Sequence, residues 1–452
     1  MSQEFTDYFM KHQTSFLKEF TDFLSFPSIS SEPSHKDDVL NCAHFVVRFL
    51  ESIDFKTFLW QTSGHPVLYA EDLSAGPNQP TLLIYNHYDV QPVDPIELWE
   101  TPPFTATVIG NQIHARGAQD NKGQCFYVLQ ALKYYKSVVG ALPINIKLII
   151  EGEEECGSHG LLELLQSKKE SLACNYLAIV DLGLPNAETP AITLGIRGIT
   201  TLDVTVTGSN TDLHSGSHGG LVFNPLHALV EILGKLRNDK GEITIPGFYD
   251  TITPVQKSEL EKLSLHFDSA YYQKEFGTQA TGGEIDYSPL ERNWLRPTLE
   301  INGVWGGYNG SGFKTVIPAQ AFAKISCRLV PGQDPESIGD LVAKRIENLA
   351  PKGVTVKAIA HSGGGPAVRG SPHSKIAKAV AKAYEDTFQK TCTYILEGAS
   401  IPIVSELAAC SGGEIVLFGL GLAGDKIHAP NEHFGIDRLA KGFEVIIRTI
   451  EN

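Results

Sequence analysis

Short apolar runs alternate along the chain with stretches whose apolar residues recur at helical spacing. The first such stretch covers residues 4–25. It contains the aromatic residues Phe5, Tyr8, Phe9, Phe16, Phe20 and Phe23. This spacing predicts an amphipathic helix that lies on the body of the fold. The aromatic side chains are therefore expected in the core and not around a cofactor.

Four apolar runs predict buried strands, and they occupy residues 81–85, 144–150, 176–180 and 415–418. The run at 144–150 is β-branched with few interruptions, which is typical of a strand buried on both faces of a parallel sheet. Predicted helices alternate with these strands and cover residues 37–53, 124–136, 372–385 and 435–450. The alternation indicates an α/β domain with a mostly parallel sheet.

The pattern changes after Arg197. Predicted strands at residues 200–207, 298–304, 321–330 and 354–360, with helices at 225–236 and 335–349, form a β-α-β-β-α-β order. Residues 197–366 are thus predicted to form an inserted α+β, ferredoxin-like domain. The first domain becomes discontinuous, with residues 1–196 and 367–452.

Composition restricts the classes of partner. The 452 residues include 37 Lys plus Arg and 52 Asp plus Glu, a formal charge of -15, which argues against nucleic acid or an anionic membrane as partner. An acidic N-terminus without a long apolar run predicts a cytoplasmic protein with no membrane span. Seven scattered cysteines without a Cys-x-x-Cys pair predict neither a disulfide framework nor a thiolate metal site.

Acidic and histidine residues follow the predicted strands at His87, Asp89, Glu154, Glu155 and Asp181. A solvated acidic loop is the simplest interpretation of one such run. The carboxyl ends of parallel strands meet at one edge of a sheet, however, so these residues are expected to lie together. Adjacent buried carboxylates need nearby cations, and the sequence therefore predicts a metal site at this edge.

Five linked motifs resemble those of the M20 metallopeptidase family, in its carnosinase-like dipeptidase branch. They are Tyr85-Asn86-His87-Tyr88-Asp89-Val90-Gln91-Pro92, Arg116-Gly117-Ala118-Gln119-Asp120-Asn121-Lys122-Gly123, Glu151-Gly152-Glu153-Glu154-Glu155, Leu213-His214-Ser215-Gly216 and His428-Ala429-Pro430-Asn431-Glu432. The resemblance implies one metal held by His87, Asp120 and Asp181, and a second held by Asp120, Glu155 and His428. Asp120 would bridge two divalent ions, with zinc expected first and manganese or cobalt as alternatives.

The resemblance also implies roles beyond the metals. Asp89 would lie behind His87, and Glu154 would act as general base. Substrate contacts would come from His214, Arg328, His361 and Ser400. Relatives dimerise through the inserted domain, so a homodimer is expected in which His214 acts across the interface. Asn86 and Ala399 depart from the family pattern, which usually has glycine at these positions.

The expected function is hydrolysis of the peptide bond of dipeptides or small C-terminal peptides. An alternative is an N-acyl amino-acid amidohydrolase that uses the same site on an acyl amide. A third hypothesis, a non-catalytic binding protein, predicts a lost base or ligand, yet Glu154 and all five candidate ligands are present.

Overall fold

The computed structural model describes residues 3–362 and 364–452. The chain forms two compact units, one of Met1–Leu194, Gly370–Ile395 and Glu406–Asn452, the other of Gly195–Arg369 and Leu396–Ser405. The division predicted from sequence did not assign Leu396–Ser405 to the second unit.

Within the described residues, the helices are α1 (Gln3–Leu24), α2 (Lys36–Glu51), α3 (Lys122–Tyr134), α4 (His159–Leu164), α5 (Lys169–Leu172), α6 (Ser215–His218), α7 (Pro225–Gly234), α8 (Lys257–Leu260), α9 (Ser269–Phe276), α10 (Pro289–Trp294), α11 (Pro335–Asn348), α12 (Lys375–Phe388), α13 (Pro402–Ser411) and α14 (Ile436–Glu451). The strands of the same residues are β1 (Lys56–Trp60), β2 (Val67–Asp72), β3 (Thr81–His87), β4 (Thr107–Ile109), β5 (Gln112–His114), β6 (Asn145–Glu151), β7 (Tyr176–Val180), β8 (Ala191–Ile196), β9 (Gly198–Thr207), β10 (Leu213–His214), β11 (Thr298–Gly306), β12 (Val316–Ile317), β13 (Gln320–Leu329), β14 (Thr355–Ala360), β15 (Val368–Arg369), β16 (Thr393–Glu397), β17 (Glu414–Phe418) and β18 (His433–Gly435).

The first helix matches its predicted pattern. Phe16 packs edge-on against Phe126 of α3 and Phe443 of α14, and Phe20 stacks on Phe126 at 4.9 Å between ring centroids. Phe20 and Phe23 are fully buried. The aromatic face of α1 is therefore core, as predicted.

A large sheet organises the first unit, with strand order β1-β2-β6-β3-β7-β17-β8 and with β16 also paired to β8. The central strands β6, β3, β7 and β17 run parallel to one another. The outer pairs are antiparallel. All seven residues of β6 are buried, which fits the apolar residues Ile146 and Leu148–Ile150 that make up most of the strand. The fold is the predicted mixed α/β class, with its parallel strands at the centre.

A small three-stranded sheet, in the order β18-β5-β4, was not predicted. It joins His433 of β18 to His114 of β5 in antiparallel register. Its strands have only three residues each, too few to leave a period-2 pattern in the sequence.

The second unit contains a four-stranded antiparallel sheet in the order β11-β13-β9-β14. Chain order β9, α7, β11, β13, α11, β14 is the β-α-β-β-α-β order. Burial alternates along every residue of β9, so one face of the sheet enters a core shared with α7 and α11. Val204, Leu229 and Val342 represent the three contributing elements.

The segment between α7 and β11, predicted as irregular, holds the short helices α8, α9 and α10. Helix α10 begins with a capping box in which Ser288 and Glu291 satisfy each other's backbone N–H groups. In the described part of the chain, no helix is both long and apolar enough to cross a membrane.

Candidate metal centre

The candidate ligands lie where the central strands end. His87 is the last residue of β3, Asp181 directly follows β7, and Glu155 lies in a 3-10 turn after β6. Since β3 is paired in parallel with both β6 and β7, these three strand ends are adjacent. Two loops complete the cluster, with Asp120 just before α3 and His428 between β17 and β18.

These side chains form two groups of three that share Asp120. His87, Asp120 and Asp181 form one group, and Asp120, Glu155 and His428 form the other, with the potential ligand atoms of each group within 4.8 Å of one another. The two carboxylate oxygens of Asp120 face different histidines. Oδ1 lies 3.1 Å from His87 Nε2, and Oδ2 lies 3.0 Å from His428 Nε2. The structure thus brings all five residues together.

Asp89 links the first histidine to the acidic turn. Its carboxylate is fully buried, lies 3.2 Å from His87 Nδ1, and accepts a hydrogen bond of 2.6 Å from Ser30 Oγ. It also accepts backbone N–H bonds from Glu154 at 3.2 Å and Glu155 at 3.1 Å. A carboxylate placed behind a histidine in this way orients the imidazole so that Nε2 faces the cluster.

Glu432 holds the loop that carries Asp120, a role that sequence reasoning missed. Its Oε1 accepts N–H bonds from Gln119 at 2.9 Å and Asp120 at 3.0 Å. Its Oε2 accepts from Arg116 Nη1 at 2.8 Å and Gly117 N at 2.8 Å. The residue is fully buried. Its position at the end of the His428 motif was the signal that could have revealed it.

A pair of asparagines positions the other carboxylate. Asn121 Nδ2 donates to Asp181 Oδ1 at 2.5 Å, while Asn86 Nδ2 donates to Asn121 Oδ1 at 2.7 Å. Asn86 Nδ2 also donates to the carbonyl of Val180 at 2.8 Å. The asparagine that replaces the usual glycine therefore supports a candidate ligand through Asn121.

Added positive charge would stabilise the buried carboxylates of the cluster. Burial, together with the negative charge of Asp120, raises the pKa of Asp181 to about 7. Burial and the surrounding carboxylates, Asp120 among them, likewise raise the pKa of Glu154 and of Glu155. Hydrogen bonds to Asp120 and Glu155 raise the pKa of His428 to about 10. Carboxylates crowded to this degree hold protons unless cations replace them.

The donor set fits divalent metal ions. Each group offers one imidazole and two carboxylates, with no thiolate, a combination that suits zinc, manganese or cobalt. The half-exposed His428 leaves the second group accessible from outside.

Glu154 belongs to neither group, although it lies among the same charges, those of His87, Asp181, Glu155 and Asp120. Its side chain forms no hydrogen bond or ion pair with any described residue. A carboxylate beside the ligands but free of them is available to exchange protons.

The predicted substrate residues lie in the second unit. His214 is exposed on β10, which pairs with β12, and its Nδ1 accepts N–H bonds from Gly216 at 3.1 Å and Ser217 at 3.3 Å. An Nδ1 that accepts leaves the proton of the neutral ring on Nε2. His214 is therefore prepared to donate a hydrogen bond from Nε2.

Arg328 and Ser400 lie near the same end of β9. Leu329, next to Arg328, pairs with Gly198, and the carbonyl of Gly198 accepts a bond of 3.0 Å from Ser400 Oγ. His361 directly follows β14; its backbone N–H donates to the carbonyl of Thr201 in β9 at 2.9 Å, and its exposed ring lies 3.2 Å from Asp203 Oδ2. The structure thus brings Arg328 and Ser400 to one region, whereas His361 lies beside Thr201 and Asp203 of β9.

Comparisons with known proteins gave a family profile and several proteins that are similar to this chain. The sequence profile described as peptidase family M20/M25/M40 matches residues 83–452. The Cys-Gly metallodipeptidase dug1 of Schizosaccharomyces pombe is 31% identical over 459 aligned residues, which cover 96% of this chain and 94% of that protein. The Beta-Ala-His dipeptidase of Homo sapiens is 32% identical over 81% of this chain and 73% of its own length.

Two solved structures are similar over nearly the whole chain. The M20 family metallo-carboxypeptidase Sso-CP2 from Sulfolobus solfataricus has a TM-score of 0.87 and 32% identity, covering 96% of this chain and 98% of that chain. Human carnosine dipeptidase 1 has a TM-score of 0.80 and 27% identity, covering 99% of this chain and 98% of that chain.

Proposed function

The chain belongs to peptidase family M20/M25/M40, and from this we propose that it is a dinuclear metal-dependent hydrolase of dipeptides. The observation that carries the proposal is the pair of three-residue groups that share Asp120. Small C-terminal peptides are the second candidate substrate, since a metallo-carboxypeptidase is among the similar solved structures.

We assign one metal to His87, Asp120 and Asp181 and the other to Asp120, Glu155 and His428. Bound in these positions, divalent ions supply Lewis-acid activation of the scissile carbonyl and of the attacking water. Asp89 keeps His87 Nε2 turned toward the cluster.

The chain's own residues perform the proton transfers and hold the substrate. Glu154 takes the proton of the attacking water and passes it to the leaving amine. His214 donates a hydrogen bond from its Nε2–H to the developing oxyanion and keeps its proton. Arg328 pairs with the substrate carboxylate, while Ser400 and His361 provide further polar contacts.

The two units divide these roles. Residues 1–196 and 367–452 form the metal-binding catalytic domain, and residues 197–366 form a lid and dimerisation domain. The dimer explains how His214, on the inserted domain, meets the substrate of a neighbouring subunit. The protein is assigned to the cytoplasm, in keeping with seven cysteines that are all free thiols.

The edge strand β11 is the surface proposed for the dimer. Among the described strands it pairs only with β13, so its outer edge is available to a second copy of the same strand across a two-fold axis. Ile301, Val304 and Trp305 of β11 are each more than two-fifths exposed, at 43%, 45% and 47%. Exposed apolar side chains on an open sheet edge are typical of a protein interface.

The decisive experiment starts from metal-free protein. The protein is reconstituted separately with Zn²⁺, Mn²⁺ and Co²⁺ and is assayed against a dipeptide panel beside N-acetyl and N-succinyl amino acids. We expect dipeptides to be hydrolysed and the acyl amino acids to be poor substrates. Preferential hydrolysis of the acyl amino acids would replace the peptidase assignment with the amidohydrolase alternative.

A further inference from the structure

Two arginines of the second unit, Arg197 and Arg328, lie close together, and no carboxylate of the described residues lies within ion-pair distance of either. Arg328 pairs in register with Ile199 of β9, and Arg197 comes just before that strand begins. Burial, and then the positive charge of Arg328, lower the pKa of Arg197 to about 10. Among the described residues, neither guanidinium forms an ion pair. Glu397 attracts both arginines, and Glu300 attracts Arg197, from beyond ion-pair distance.

Arg197 is bound by neutral groups instead. Its side chain is buried and donates from Nε to the carbonyl of Gly398 at 2.8 Å and from Nη1 to the carbonyl of Arg296 at 3.4 Å. Its backbone N–H donates to the carbonyl of Ala399 at 3.0 Å. Arg197 thus clamps the turn at 398–399 by both its side chain and its backbone.

This turn carries Ser400. Ala399 N donates to Glu397 Oε1 at 3.0 Å, and Ser400 Oγ donates to the carbonyl of Gly198 at 3.0 Å. Gly398 packs against the side chain of Asn293, whose Oδ1 would have to move aside for a Cβ at this position. The turn is therefore held by the hydrogen bonds that Arg197 donates to Gly398 and Ala399 and by the bond from Ser400 to Gly198.

A buried cation without a counter-charge is costly, since neutral carbonyls compensate only part of the lost hydration. The two acidic residues that attract the pair, Glu397 and Glu300, form no ion pair with it, and the Glu397 carboxylate instead accepts from the backbone N–H of Ala399. The missing counter-charge is best supplied by a bound anion. Arg328 is the member of the pair to which the proposed function assigns the substrate carboxylate.

We propose that Arg197 is a positioning residue for carboxylate recognition, which holds the Gly398–Ser400 turn in place and adds a second positive charge beside Arg328. This inference rests on the proposed function, because it assumes that Arg328 meets a substrate carboxylate. Arg197 is not proposed to touch the substrate. It acts by holding the turn and by adding positive charge beside Arg328.

The test measures equilibrium binding to metal-loaded protein made inert by Glu154→Gln. The probes are Leu-Gly and its C-terminal amide, which differ only in the carboxylate. Adding Arg197→Met should weaken Leu-Gly binding about tenfold or more, in the range for losing a charge-assisted contact. Binding of the amide should change by less than about twofold, since the amide offers no negative charge to the pair.

Two further variants separate charge from structure. Arg197→Lys keeps the cation but loses the Nε bond to Gly398, so we expect an intermediate loss for Leu-Gly and none for the amide. Arg292→Met is the matched control, because Arg292 also donates only to backbone carbonyls of this unit, those of Gly282 and Ala280. It should leave the binding of both probes unchanged.

Equal weakening of both probes by Arg197→Met would show a purely structural role and overturn the inference, as would unchanged binding of Leu-Gly. If Arg197→Met does not fold, the lysine variant decides by the same comparison. Failure of the proposed function looks different, because wild-type protein would then hydrolyse no dipeptide whatever the binding ratios of the variants.

Discussion

Replacing Glu432 with glutamine should weaken metal binding although Glu432 is not a proposed ligand. Each oxygen of the Glu432 carboxylate accepts two hydrogen bonds, Oε1 from Gln119 and Asp120 and Oε2 from Arg116 and Gly117. An amide of the same shape has one oxygen and one NH₂ group. In either orientation, the NH₂ group faces two N–H donors and cannot accept from them.

The orientation that keeps the oxygen toward Arg116 is favoured, because a bond to a charged donor is the stronger one. The NH₂ group then opposes the N–H groups of Gln119 and Asp120. Two bonds are lost and Arg116 remains buried at 1% exposure without its counter-charge. Breaking a buried pair in this way costs about 3–5 kcal/mol. That is a large share of the roughly 5–15 kcal/mol by which proteins are usually stable.

The assay has two readouts. Urea denaturation of the metal-free protein should show the lower stability, and metal titration of the folded protein should show about 10- to 100-fold weaker binding. Asp72→Asn is the control, since Asp72 is a buried carboxylate that pairs with Lys136 at 2.8 Å and touches none of the candidate ligands. It should lower stability but leave metal affinity unchanged. Unchanged metal affinity in folded Glu432→Gln would refute the role assigned to Glu432.

Three further predictions concern Glu154, the shared ligand Asp120, and His214. Glu154→Gln should retain both metals by mass spectrometry while kcat falls about 10²- to 10⁴-fold, and activity within a few-fold of wild type would exclude Glu154 as the base. Asp120→Ala should lower occupancy of both metals because one carboxylate serves both groups, whereas Glu155→Ala should empty mainly one; two tightly held metals in Asp120→Ala would contradict the shared role. Glu154→Gln and His214→Ala should each be nearly inactive, yet a random mixture of refolded subunits should recover about a quarter of wild-type activity, since half of the dimers are mixed and one site in each has neither lesion. No recovery would mean that His214 serves its own subunit, and near wild-type activity of His214→Ala alone would deny it a role.

Much of the local structure followed from pattern alone. Aromatic spacing predicted α1, and a β-branched, apolar run with few interruptions predicted β6 as a strand buried on both faces. These predictions succeed because burial imposes a period on neighbouring residues, which a short window of sequence preserves. The same reasoning led to the candidate site, since strand ends of a parallel sheet share one edge.

Sequence did not reveal what depends on partners distant in the chain. Glu432 holds the Asp120 loop across 312 residues, and Asn121 positions Asp181 across 60. Contacts of this kind do not produce a periodic pattern of residues in the sequence around either partner. The antiparallel direction of the outer strands was not predicted for a related reason, because strand direction depends on where the chain returns and not on the strand's own residues.

What the sequence by itself determined is the α/β class, the order of the elements, and the set of acids and imidazoles at the strand ends. Only the tertiary structure decided that Asp120 turns one oxygen to His87 and the other to His428, and that Arg197 lies beside Arg328 without a counter-charge. The physical reason is the same in both cases. Periodicity records which face of an element is buried, whereas the distance between two side chains is set by packing and hydrogen bonds that close the chain over hundreds of residues.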